Sequence, residues 1–160
     1  MKKRSLILLV VLVMLMSAGC QATESDTAAA PTFDFALPEG YAVDHIAGNT
    51  CDIVSGEEVV GGFTRTDLDV SCIDTQDFDT IFAYLETYTA QNETFEFFMD
   101  HWTSCLNIVF KITNTQTNEA YEQYHHLFEK DGVCYDMWLD GRYVERDSTE
   151  IFVDALGIGE

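Results

Sequence analysis

Asp131-Gly132 is the feature that most limits what this chain can become. A two-residue turn of this type needs positive φ at both central positions, which Asp and Gly tolerate, and its twist matches the two strands it joins. On either side lie runs of strand length, Ala120 to Lys130 and Val133 to Asp140. Closing the turn at 131–132 predicts the register: 128 opposite 135, 126 opposite 137, 124 opposite 139. One face of the hairpin then carries Phe128, Tyr135, His126, Met137, Tyr124 and Leu139. The other carries Leu127, Asp136, His125, Trp138, Gln123 and Asp140, and is the more polar of the two. Alternation and turn chemistry agree, which is the consistency a folding sequence needs.

The remaining elements fall around this hairpin. Phe33 to Leu37 alternates apolar and polar residues, and Pro38-Glu39-Gly40 breaks the run before Tyr41-Ala42-Val43. Thr50 to Val54 and Glu58 to Thr66 flank Ser55-Gly56-Glu57, a second hairpin by composition. Gly61-Gly62 inside that second run predicts a bulge or a close backbone crossing. No phosphate-binding glycine pattern accompanies it. From Asp74 the apolar period lengthens to that of a helix: Phe78, Ile81, Phe82, Leu85 and Tyr88 share a face. Asp74 or Thr75 is the expected cap, with Asp77 in the first turn at the positive end of the helix dipole.

Phe95 to Trp102 reads as a strand with aromatics on both faces, and Leu106, Ile108, Phe110 and Ile112 alternate as a half-buried one. Asp147-Ser148-Thr149-Glu150 resembles a capping box opening a last helix, with Gly157 as its stop. The expected order is three strands, a helix, four strands and a helix. That is an α+β fold: an antiparallel sheet with a central and a C-terminal helix packed on one face.

The N-terminus gives an address. Met1-Lys2-Lys3-Arg4 is basic, and Leu6 to Met16 is unbroken apolar sequence. Eleven helical residues rise about 16 Å, half of a ~30 Å bilayer core, so the segment is a signal h-region and not a span. It closes on Ser17-Ala18-Gly19-Cys20, which resembles the lipobox of bacterial lipoproteins, although Ser17 stands where that family usually has Leu. The resemblance implies cleavage after Gly19 and diacylation of Cys20, enough for stable anchoring to the cell membrane on its extracytoplasmic side. The simpler alternative is an ordinary secretory signal that leaves Cys20 a plain thiol. On the lipoprotein reading, residues 1–19 are the signal peptide, 20–32 a lipidated cysteine and small, polar tether, and 33–160 a single domain.

Loss of residues 1–19 leaves 28 acidic residues against Arg65, Lys111, Lys130, Arg142 and Arg146, a net charge of -23. Nucleic acid is excluded as a partner, because phosphate binding needs a basic patch. Anionic lipid repels such a surface, so a lipid must do the anchoring. The charge suits cations or basic partners, and the plainer account is solubility. Cys51, Cys72, Cys105 and Cys134 form an even set outside the cytoplasm, which predicts two disulfides with three connectivities open.

Phe35-Ala36-Leu37-Pro38-Glu39-Gly40-Tyr41, the early hairpin, the central helix, the strand meander and the terminal helix after Tyr135-Asp136-Met137-Trp138-Leu139-Asp140 are similar to the PsbP-like fold over residues 33–158. A cystatin-like fold is the alternative. The PsbP-like resemblance implies an accessory or binding protein and carries no catalytic residues.

Chemistry-bearing motifs are sparse: there is no Gly-x-Ser-x-Gly, His-Glu-x-x-His or Cys-x-x-Cys. Asp67, Asp69 and Asp74, with Asp77 and Asp79 beyond, offer the oxygens calcium prefers, although helix capping accounts for the last three. His101, Cys105 and His125 are the sharpest zinc-like set, at poor spacing. Trp102 and Trp138 could line a groove. The expected function is a non-enzymatic binding or accessory module for a small ligand or another envelope protein, with its site at His125, Asp136 and Trp138. A calcium- or zinc-dependent enzyme or sensor is the rival, and a purely structural envelope protein the third reading.

Overall fold

The computed structural model describes residues 33–69, 77–101 and 104–158, which belong to one compact unit. Seven strands make one sheet: β1 (Ala42–Ala47), β2 (Thr50–Ser55), β3 (Glu58–Arg65), β4 (Glu93–His101), β5 (Cys105–Asn114), β6 (Ala120–Lys130) and β7 (Val133–Asp140). Helix α1 (Phe78–Glu86) lies between β3 and β4 in sequence, and α2 (Thr149–Leu156) follows a 3-10 turn at Arg146–Ser148. Neighbours run antiparallel throughout in the order β1-β2-β3-β7-β6-β5-β4. Consecutive pairing fails only where β3 meets β7, so the last hairpin strand closes the sheet against the first hairpin.

The β6–β7 register is the one the turn dictates: Phe128 faces Tyr135, His126 faces Met137 and Tyr124 faces Leu139. Asp131 and Gly132 have φ of 55° and 76°, the pair of positive angles such a turn requires. The glycine pair has a packing cause. Register slips by one residue between Ile53 and Val54 opposite Val59 to Gly61, a bulge. A Cβ on Gly62 would stand 2.6 Å from the Cys51 carbonyl oxygen and 2.8 Å from the Trp138 indole nitrogen, so only glycine fits.

Each face of the sheet has its own cover. Ile81 and Leu85 of α1 pack with Leu106, Ile108, Phe110, Ile112 and Leu127. Phe152 and Val153 of α2, with Phe33, pack instead with Cys51, Ile53, Phe63, Phe128, Met137 and Leu139. Leu127 and Phe128 are neighbours on β6 and point to opposite faces, so the two helices lie on opposite sides. This corrects the expectation of both helices on one face. The physical reason is that each face is independently apolar, and a seven-stranded sheet with two such faces needs two covers.

Local boundaries differ in instructive ways. Phe33 to Leu37 forms no strand; it lies across the α2 face and packs Phe35 at 4.4 Å from Phe63 and 5.1 Å from Tyr135. Helix α1 is capped by Asp77, whose carboxylate accepts from the Thr80 amide at 3.3 Å, while Asp74 and Thr75 lie outside the described residues. Phe78 and Phe82 belong to the predicted apolar stripe yet stay 55% and 41% exposed, because they stack on Phe97 and Phe95 of the edge strand β4 and not on the centre of the sheet. The capping box before α2 does not form: the Ser148 side chain makes no cap bond, and Thr149 Oγ1 donates back to the Arg146 carbonyl at 2.9 Å. Gly157 does end the helix, at φ 68°.

Candidate functional site

The pleat of β6 sends His125 toward α1 and His126 toward α2, and each meets a different environment. On the α1 side, Asp136 is the centre. One of its oxygens, Oδ2, accepts from Tyr84 Oη at 2.7 Å, Tyr88 Oη at 2.9 Å and His125 Nδ1 at 2.8 Å. Tyr84 lies on α1 and Tyr88 in the turn just past its end, where the Tyr88 amide donates to the Leu85 carbonyl at 3.0 Å, so the four-residue spacing still delivers both hydroxyls to one carboxylate. Burial beside that carboxylate pushes both phenols far above their ordinary range, and they remain protonated donors.

His125 and Asp136 are brought together as the sequence suggested, but both are completely buried. The expectation of a site on an open polar face therefore fails here: α1 covers it. A His–Asp pair of this kind orients an imidazole for catalysis only if the far nitrogen meets a nucleophile or substrate. The far nitrogen of His125 stands 3.3 Å from Gln123 Oε1, an amide oxygen, and Tyr88 and Phe110 close over the ring at 4.8 and 5.5 Å. Trp138 is half-buried over Gly62 and stands opposite His125 in the β6–β7 register.

The other predicted sets are dispersed. Cys105 packs in the α2-side core while His125 faces α1, so the zinc-like set does not assemble; the sheet lies between them. Among the described residues no group of three His, Cys, Asp or Glu side chains is placed to hold a metal. Asp67 and Asp69 are exposed beyond β3, and Asp74 lies outside the described residues. Cys51 and Cys105 are buried free thiols, not halves of the expected disulfides, and burial pushes each up to about 11, which makes both inert. Their strands are separated in the sheet order by β3, β7 and β6, which explains why they do not pair with each other. Cys20, Cys72 and Trp102 lie outside the described residues.

The α2 side carries a cleft that the sequence did not announce. Two rows of side chains cross β4, β5 and β6 there. One row is Asp100, Asn107 and His126; the next is Phe98, Val109 and Tyr124. Arg146, Asp147, Thr149 and Glu150, from the 3-10 turn and the first turn of α2, complete the wall around about 220 Å³. The floor is uncharged: burial pulls His126 down to about 4, and its Nδ1 stands 2.6 Å from Asn107 Oδ1. An amide oxygen only accepts, so Nδ1 carries the hydrogen. The Asn107 amide nitrogen is buried with no partner among the described residues.

The rim, by contrast, is charged and exposed, with Asp100, Asp147 and Glu150 against Arg146. Lys111 is paired to Glu96 at 2.8 Å, Lys130 stands over the Phe35 ring, and Arg142 clamps Asp140. Arg146 has no ion-pair partner among the described residues. The hairpin register did place His126 and Tyr124 on one face, but their partners Asn107 and Asp100 arrive through strand pairings that no turn motif announces.

No protein-family model matches the chain, and no curated protein or solved structure is similar to it.

Proposed function

We propose that this chain is a lipid-anchored extracytoplasmic binding module, not an enzyme, that takes a small ligand in the cleft between β4–β6 and the start of α2. The observation that carries the reading is the contrast between that cleft, with a neutral polar floor and a charged open rim, and the sealed His125–Asp136 pair. Binding sites are concave and bring a few polar groups together at an open mouth, which describes the cleft and not the sealed pair. Ser17-Ala18-Gly19-Cys20 after the apolar run supports the anchor. The entry Leu37-Pro38-Glu39-Gly40-Tyr41 and the element order support placing the domain with PsbP-like accessory proteins.

Two measurements test this reading. Radiolabelled palmitate should label the full chain, and Cys20→Ser should abolish the label; persistent labelling would remove the anchor. Solvent extraction of the purified chain, read by mass spectrometry, should release a small molecule that is lost from Val109→Trp, which fills the cleft. An extract identical for the two proteins would overturn the binding reading.

A further inference from the structure

We propose that the ligand of the α2-side cleft is a small zwitterion of amino-acid size, bearing one ammonium and one carboxylate group; this rests on the binding reading above. Size is the first constraint. About 220 Å³ is below the range of roughly 300–1,000 Å³ that accommodates drug-sized molecules, which leaves room for a ligand of about ten heavy atoms.

Charge is the second. Three carboxylates and one guanidinium ring the mouth, and none of the four is in an ion pair among the described residues. A purely anionic ligand would meet a net negative rim. A purely cationic one would leave the Arg146 guanidinium facing it. A molecule with both charges satisfies both, its ammonium against Asp100, Asp147 or Glu150 and its carboxylate on Arg146.

The floor is the third constraint. Asn107 and His126 line it and bring no charge of their own. Phe98, 64% exposed at the mouth, and Val109 beside it offer apolar contact to the ligand's side chain. His126 stays neutral, so the floor adds no third charge that would bias the balance.

The test is calorimetric titration of the full chain in detergent micelles with free leucine, with isobutylamine and with isovalerate. Leucine should bind about tenfold or more tightly than either half-molecule, because both charged contacts form only with the intact zwitterion. Arg146→Gln should weaken leucine and isovalerate about tenfold and leave isobutylamine unchanged. Asp147→Asn combined with Glu150→Gln should do the reverse. All three residues are exposed, so the variants keep the fold. Leucine binding no tighter than its halves, or unaffected by Arg146→Gln, would overturn the zwitterion. If the extract from the purified chain then yields a ligand lost in Val109→Trp, the ligand class was wrong and the cleft still binds. An extract indistinguishable from that of the variant would overturn both.

Discussion

His125 and His126 follow each other on β6, and the sheet separates them completely. His125 meets a carboxylate and two tyrosine hydroxyls under α1, and its Nδ1 faces Asp136 at 2.8 Å. His126 meets an amide on the floor of an open cleft and is held neutral by burial. The first environment spends its polar chemistry on holding the helix to the sheet. The second leaves a ring of charges to solvent. One residue of chain separates a sealed histidine from one that lines an open cleft, because a strand alternates its side chains between faces.

The comparison breaks most visibly at Asp136. Asp136→Ala removes the shared acceptor of three buried donors and should cost about 3–5 kcal/mol in urea unfolding, since the partners are left buried and unpaired. A loss below about 1 kcal/mol would mean that α1 is held by its apolar stripe alone.

Acid sharpens the contrast from the other side. His126 titrates near 6.5 when unfolded and about 4 when folded, so the unfolded chain takes up the proton first. Stability from this group is complete above pH 6.5 and falls as the pH drops toward 4, by about 3 kcal/mol at 1.36 kcal/mol per unit. His126→Gln should flatten that portion of the pH–stability curve; an unchanged slope would assign it to other groups.

Smaller effects follow. Gly62→Ala pushes a methyl group into the Cys51 carbonyl and the Trp138 ring, and should lower stability by about 1–3 kcal/mol with the bulge displaced. Tyr84→Phe deletes one of three donors to Asp136 and should cost about 1–2 kcal/mol, seen as a lower urea midpoint at constant slope. Phe98→Ala, at the open mouth of the cleft, should change the unfolding free energy by less than about 0.5 kcal/mol. If Phe98→Ala proves as costly as Tyr84→Phe, the cleft is core and the two faces are alike.

Much of the sheet was legible beforehand. The β6–β7 pairing follows from Asp131-Gly132, and the alternation of Leu106 to Ile112 gives the buried side of β5 without reference to any neighbour. Half of the sealed cluster was legible too, because turn register places His125 and Asp136 on one face. Its closure was not. Tyr84 and Tyr88 lie some fifty residues upstream, and only the packing of α1 across β5 and β6 brings their hydroxyls to Asp136. The more polar hairpin face looked like the place for a site, and His125 and Asp136 on it turned out to be internal, with Asp136 Oδ2 held by the tyrosines above it.

The cleft was the least legible part, for a related reason. Asp100, Asn107 and His126 share a row only because β4, β5 and β6 pair in a particular register, and Arg146 and Glu150 join them only because α2 crosses that side. What this sequence determines by itself is local: turn chemistry, strand alternation and the stop at Gly157 each depend on residues within a few positions. Which face each helix covers was decided by the tertiary structure alone. That choice rests on apolar surfaces assembled from distant segments, and burial energy accrues to the assembled surface and not to any one segment.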